Sequence, residues 1–245
     1  MIPLSELSSV EFYILGSEDN KINSFVEVKT SETFKQGKAV ENGVYDLSLG
    51  TFNFDTKCKV CKKTNTTCQG HMGHVNLRYP SKNSLFIPEI PLWLKTVCFN
   101  CSNILCSDEK INKIQQSNIH RFKILNECAG KNFSGNNKIV YCRHCGMESP
   151  NITKNKGEAL ILYAEYYDVK MVGGKKTFEI RSKEEITNIQ IKNVLDKISD
   201  ETVLMMGKPL ISHPKKLVMT VLGVSPSTIR PDKKKTSVNN AFNSD

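Results

Sequence analysis

No run of about 18 consecutive apolar residues occurs in this 245-residue sequence, so no segment is expected to cross a bilayer as a helix. The first residues, Met1-Ile2-Pro3-Leu4-Ser5-Glu6, lack the basic start and apolar stretch of a secretory signal. The protein is therefore expected in an intracellular, reducing compartment, where its nine cysteines do not become structural disulfides. No clustered-carboxylate motif suited to two-metal catalysis is present. Nor is there an internal repeat beyond two cysteine clusters, and tryptophan occurs once, at Trp93. What is present is ordinary for a folded, water-soluble chain: 39% hydrophobic and 24% charged residues, enough to bury a core.

The formal charge of +9 points to a polyanion or an acidic partner. If seven cysteines bind two Zn²⁺ as thiolates, the balance falls to about +6, which is still basic.

Short β-type runs are expected at Val10–Leu15 and Phe25–Val28, and turn chemistry closes the stretch Glu41–Gly50. Pro88 and Pro91 suit the first turn of a helix that carries Trp93. Residues 98–145 form a long excursion bracketed by cysteine pairs, with a polar middle at 115–118 and 134–137. Leu160–Met171, Gly173-Gly174 and Thr177–Ile180 read as a hairpin whose glycines supply positive φ. Ser182-Lys183-Glu184-Glu185 has the form of a capping box, opening a helix to about Ser199 with Ile186, Ile189, Val194 and Ile198 on its apolar face. A second apolar stretch, 216–224, and the turn at Pro226–Pro231 lead into a basic, then polar tail. Both are expected to pack against a continuation or a partner.

The cysteines carry the strongest signal. The first cluster is Cys58-x2-Cys61-x6-Cys68-x2-His71. Tetrahedral Zn²⁺ needs four such donors converging at about 2.0–2.3 Å, and four protein ligands close the site, making it structural rather than catalytic. Gly70 permits the tight turn between Cys68 and His71. His74, six positions beyond Cys68, is a rival for His71, which the commoner two-residue gap favours. The second cluster is Cys98-x2-Cys101 with Cys142-x2-Cys145, two identical pairs that would clip a long loop at its base. Cys106 and Cys128 are expected to be plain thiols, and His144 to point outward.

The segment Cys68-Gln69-Gly70-His71-Met72-Gly73-His74-Val75-Asn76-Leu77 resembles the clamp zinc motif in the largest subunit of multisubunit DNA-dependent RNA polymerases of eukaryotic, archaeal and large-DNA-virus type. Gly43-Val44-Tyr45-Asp46 with Leu49-Gly50-Thr51 resembles the run preceding that site, and Leu94–Cys101 the helix entering the family's second zinc site. Ile198–Glu201, His213–Leu217 and Pro226-Ser227-Thr228-Ile229-Arg230-Pro231 resemble the stretch ending in the family's proline-rich turn, departing from it at Ser225 and Ser227. The likeness covers residues 10–232. The short inserts and Lys/Asn-rich composition resemble a viral subunit more than a nuclear one, and the Leu85–Ile90 segment is similar to African swine fever virus-like polymerases in particular.

The resemblance implies an α+β, irregular, zinc-stabilised clamp with short strands, a hairpin and several helices. It implies clamp core with the first zinc site over 1–97, clamp head with the second zinc site and hairpin over 98–181, a helical return over 182–232, and a basic tail over 233–245. It carries two structural Zn ions, on Cys58, Cys61, Cys68 and His71 and on Cys98, Cys101, Cys142 and Cys145. The family's Asn-Ala-Asp-Phe-Asp-Gly-Asp loop, which holds catalytic Mg²⁺, has no counterpart, so Mg belongs to the complete polymerase and this chain is expected to be non-catalytic. Implied partners are the remainder of the largest subunit, the second-largest and smaller subunits, DNA and the RNA–DNA hybrid. Localisation would be viral factory and virion if viral, nucleus otherwise. Lys215, Lys216, Arg230, Lys233, Lys234 and Lys235 are the candidate phosphate contacts. The reading from a different class is a free-standing zinc-ribbon adaptor or transcription factor. A zinc hydrolase is disfavoured because neither site leaves an open coordination position.

Overall fold

A computed structural model describes residues 8–10, 12–107, 109, 111–112, 120–132, 139–155 and 161–230, excluding the side chains of 130–132. The chain forms two compact units. One is built from residues 1–14 and 79–218, the other from 15–78 and 219–245. In chain order the regular elements are α1 (Ser17–Ile22), β1 (Phe34–Lys35), β2 (Lys38–Ala39), β3 (Gly73–Lys82), α2 (Glu89–Thr96), α3 (Arg121–Asn132), β4 (Val140–Tyr141) and β5 (Glu148–Ser149). There follow β6 (Asn151–Lys154), β7 (Leu162–Val172), β8 (Lys175–Glu185), α4 (Asn188–Asp196), α5 (Asp200–Met205) and β9 (Val218–Val224). The architecture is α+β with several small antiparallel sheets: β1-β2, β4-β5 and β6-β7-β8, together with a two-stranded β3-β9 sheet. No helix among the described residues is long and apolar enough to cross a membrane.

The unit containing 79–218 holds the main core. Helix α2 starts at Glu89 directly after Pro88, with Pro91 still in the first turn where no amide partner is lost, and buries Ile90, Trp93 and Leu94. Trp93 meets Phe122 of α3 at 4.8 Å between ring centroids, and Leu125 and Ala129 of α3 complete that layer. The inner face of the three-stranded sheet contributes Ile152, Leu162 and Ala164, and α4 contributes Ile191, Val194 and Leu195. Helix α3 lies inside the excursion between the cysteine pairs; the polar stretches 115–118 and 134–137 fall outside the described residues.

The hairpin forms as the glycine pair requires, Gly173 and Gly174 both adopting positive φ (57° and 74°). Its second strand runs further than the sequence suggested. Ser182–Glu185 is not a capping box but the end of β8, paired with β7 as far as Tyr163↔Glu185. The helix starts at Asn188, capped by Thr187, whose hydroxyl accepts from the Gln190 amide while the Gln190 side chain accepts from Thr187 N–H. Ile186 precedes the helix and Ile189 is exposed, so the buried face is Ile191, Val194 and Leu195.

Two further expectations need correction. The described part of Val10–Leu15 forms no strand, and Phe25–Val28 makes only a short parallel contact with residues 72–74, through Phe25 N–H to Met72 O (2.9 Å) and Val28 N–H to His74 O (2.7 Å). The stretch 216–224 is not left for a partner. It is a 3-10 turn and strand β9, with Leu217, Val218, Met219 and Val221 all buried within the chain.

In the second unit, the Gly43-Val44-Tyr45-Asp46 motif has a local explanation. Asp46 accepts from the backbone amides of Asn42 (2.6 Å) and Ser48 (2.7 Å), capping the turn 47–49. Burial would raise its carboxyl, but those amides outweigh it and hold the group below the usual carboxylate range. Leu49, fully buried, then presents its carbonyl to His71 N–H (3.2 Å).

Candidate metal centres

Three Cys-x2-Cys knuckles share one construction. In each, the amide of the first cysteine donates to the carbonyl five positions on: Cys58 to Lys63, Cys98 to Asn103, Cys142 to Met147 (2.8–3.0 Å). In each, the residue four positions on returns a bond to the first cysteine's carbonyl, and that residue, Lys62, Ser102 or Gly146, has positive φ (59° to 69°). This left-handed residue turns the loop back so that both sulfurs face one point. Sequence inspection misses Lys62 and Ser102, because only glycine announces such a conformation. Backbone amides of Val60 and Asn100 point at the sulfurs of Cys58 and Cys98 (3.4 Å each), an arrangement that favours thiolate.

The fourth knuckle uses glycine. Gly70 has φ +83°, and a Cβ there would lie 2.4 Å from Pro226 Cβ and 2.4 Å from Thr228 Oγ1. Gly73 likewise has no room, since a Cβ would meet Leu49 Cδ2 at 2.6 Å. The two glycines of the Cys-x-Gly-His-x-Gly-His motif are thus steric requirements of this packing.

The donors converge. One group comprises Cys58, Cys61, Cys68 and His71, the other Cys98, Cys101, Cys142 and Cys145, with all ligand atoms in each within 4.8 Å of one another. A tetrahedron with bonds of about 2.3 Å has edges of about 3.8 Å. The observed edges are Cys61–Cys68 3.5 Å, Cys68–His71 Nε2 3.8 Å, Cys98–Cys145 3.7 Å and Cys101–Cys142 3.6 Å. These are the only groups of three or more such donors among the described residues. In each, two donors are buried and two half-buried, so four protein atoms enclose the space where an ion would sit.

His74 stays outside the first group; its Nδ1 meets Ser24 Oγ at 2.7 Å. His71 is held against Phe25 in an edge contact, centroids 4.9 Å apart. Cys106 is buried and donates to Leu125 O, Cys128 is half-buried, and neither joins a group. His144 also stands apart.

The thiols titrate far from one another. The His71 ring pulls Cys61 down to about 6, and the Met147 amide with neighbouring donors pulls Cys145 to about 6. Burial raises Cys68 and pushes Cys142 up to about 12, the nearby thiols adding to the effect. Four sulfur-rich donors packed this tightly repel one another as anions, and a divalent cation removes that conflict.

The candidate phosphate-binding residues fare differently. Lys215 is exposed, and Lys216 lies over the Tyr13 ring at 4.9 Å. Arg230 has a structural task. Its guanidinium donates to Val44 O (2.7 Å) and Ser225 O (3.0 and 2.7 Å) and stacks on Tyr45 at 5.4 Å. Lys233, Lys234 and Lys235 lie outside the described residues.

Residues 4–240 match the family described as RNA polymerase Rpb1, domain 1. The chain is 28% identical over 230 residues to the DNA-directed RNA polymerase RPB1 homolog of African swine fever virus, covering 93% of this chain and 14% of that protein. It is 26% identical over 237 residues to the DNA-directed RNA polymerase subunit Rpo1N of Methanocaldococcus jannaschii, covering 92% of this chain and 16% of the relative. Identity to the same subunit of Methanothermobacter thermautotrophicus is 26% over 232 residues, 93% of this chain and 24% of the relative. The chain therefore spans between 14% and 24% of the length of these curated relatives.

Proposed function

From the premise that this chain belongs to the RNA polymerase Rpb1, domain 1 family, we propose that it is the clamp part of a DNA-directed RNA polymerase largest subunit, non-catalytic by itself. The observation that carries the reading is the match over residues 4–240, the stretch that also contains both four-donor groups.

The donor set is that of zinc: seven sulfurs and one imidazole nitrogen in two closed tetrahedra, with no carboxylate or carbonyl oxygen to suit a harder ion. In this reading Cys58, Cys61, Cys68 and His71 hold one Zn²⁺ in the clamp core, and Cys98, Cys101, Cys142 and Cys145 hold the other in a clamp head over 98–181. The ions fix loops and do no chemistry; Mg²⁺ belongs to the catalytic loop of the complete enzyme. Partners are the rest of the largest subunit, the second-largest and smaller subunits, DNA and the RNA–DNA hybrid, in an intracellular, reducing setting. Lys215 and Lys216 contact phosphate without reading sequence, so their contribution weakens with salt.

The test is a reconstituted polymerase carrying Lys215→Glu and Lys216→Glu, assayed for retention of a DNA–RNA scaffold across a salt series. The salt slope should flatten by about one for each phosphate that the two lysines no longer neutralise. A slope unchanged from wild type removes these lysines from the interface. Failure of the chain to enter any polymerase assembly overturns the clamp reading and leaves the adaptor.

A further inference from the structure

Two of the four donors in each group are half-buried, and these are the ones a reagent in solvent can reach. In the second group Cys98 and Cys142 are buried, while Cys101 and Cys145 are half-buried. Both of the accessible sulfurs receive a side-chain amide. Asn103 Nδ2 donates to Cys101 Sγ at 3.4 Å, and the Asn100 side chain donates to Cys145. In the first group the accessible sulfur is Cys61, and its donor from outside the group is a backbone amide, that of Lys63.

The difference follows the charge. Four thiolates around Zn²⁺ leave about −2 on the second centre, whereas three thiolates and a neutral imidazole leave about −1 on the first. Excess negative charge sits on sulfur and makes it a better nucleophile; an N–H that draws on the sulfur lone pair lowers that nucleophilicity. Asn103 is held in place by its own knuckle. Its carbonyl accepts from Cys98 N–H (2.8 Å), and Val97 and Ile104 form a bridge around it. Ser102, in the left-handed conformation, donates through Oγ to Val194 O of α4 (2.7 Å). Lys197, at the end of α4, brings a cation to the same loop and donates to Asn100 O (3.3 Å). The equivalent position in the other two Cys-x2-Cys knuckles holds Met147, which has no side-chain donor, and Lys63, which is exposed.

We propose that Asn103 is a positioning residue of the second metal centre: its side-chain amide holds the Cys101 thiolate toward the ion and shields that sulfur from electrophiles. Asn100 serves Cys145 in the same way. The inference rests on the zinc reading for the ion itself, and on the hydrogen bonds and the exposure of the sulfurs for the role of the asparagines. A closed structural centre must keep its ligands unreactive, and here two of them stand at the surface. Groups that touch ligands rather than the ion tune such a centre and keep it loaded.

The experiment treats the full zinc-loaded chain with iodoacetamide, whose methylene carbon is attacked by a thiolate with loss of iodide. Mass spectrometry follows each cysteine separately. Asn103→Leu, close in shape and without a donor, should raise the alkylation rate of Cys101 about tenfold or more, while Cys61 of the first centre keeps its wild-type rate. Release of one zinc ion to a chelator should quicken in step. Asn103→Asp, which sets a carboxylate against the thiolate, should do at least as much. A measurement on the wild type needs no variant to fold: in the cadmium-loaded chain, NMR should show scalar coupling between an Asn103 side-chain amide proton and the metal, carried through Cys101 Sγ. Unchanged Cys101 rates in both variants, a rise shared equally by Cys61, or absence of that coupling overturns the proposal. A wild-type chain that does not hold both ions overturns the metal reading instead, so the two failures are distinguishable.

Discussion

His71 and His74 stand three positions apart in one motif and do different work. His71 joins three sulfurs, whereas His74 meets Ser24 and lends its backbone to the Val26–Val28 pairing. His71→Ala should therefore release one of two zinc ions per chain and destabilise its unit, while His74→Ala should keep both; metal analysis of the purified variants checks this. A third histidine gives a pH response. His213 is buried, its Nε2 facing Ile198 O at 3.1 Å and its Nδ1 accepting from Lys215 N–H at 3.1 Å. Burial and the Lys215 charge lower its pKa against the opposing pull of Ile198 O, Asp200 and Asp196. The fold thus prefers the neutral ring. Its contribution to stability is full above the ordinary value of about 6.5 and declines as pH falls through the lowered folded value. Thermal midpoints at pH 7.5 and 5.5 should converge more in His213→Gln than in wild type, with both cysteine-rich donor groups common to the two proteins.

At the scale of the element, the end of β8 and the start of α4 show what sequence could and could not deliver. Ser182–Glu185 and Thr187–Gln190 both satisfy the capping pattern, and local chemistry does not choose between them. The choice is made by the partner strand, which holds residues as far as Glu185 in the ladder with Tyr163. Thr187→Ala should accordingly cost about 1 kcal/mol, and Ser182→Ala much less, measured by denaturant midpoint. The hairpin itself was legible, because two adjacent glycines between β-rich runs leave few other conformations. The cysteine knuckles were legible for the same reason: their spacing is short and their geometry local. Helix α3 was not, since Arg121–Asn132 is amphipathic only with respect to a core supplied by Trp93 and its neighbours. The exposure of Ile189 also depends on a start point that long-range pairing sets.

For the whole molecule, two metal clips are expected to be part of the fold rather than additions to it. The first donor group lies within residues 58–71, and the second brings residues 98–101 together with 142–145. Removing both ions with a strong chelator should loosen the chain to a state with reduced near-UV dichroism, reversed by zinc and not by magnesium. A chain whose unfolding transition is the same with and without chelator would contradict that. The core around Trp93 should survive best, since its fully buried side chains Trp93, Leu125, Leu162 and Leu195 come from four separate elements. Trp93→Ala should cost about 3–5 kcal/mol, read as loss of the folded baseline in the same titration.

The unit holding the first metal centre is discontinuous, made from residues 15–78 and 219–245. Gly70, inside that centre, touches Pro226 and Thr228 so closely that a methyl group could not fit. On a ribosome, therefore, the donors of the first knuckle emerge long before the residues that seat them. At about 5–20 residues per second, the intervening residues 79–218 impose a delay on the order of ten seconds. The second centre, complete at Cys145, has no such wait. Loading of metal should thus run against the order of the cysteines in the sequence, the later pair of knuckles closing while the earlier site is still open to exchange.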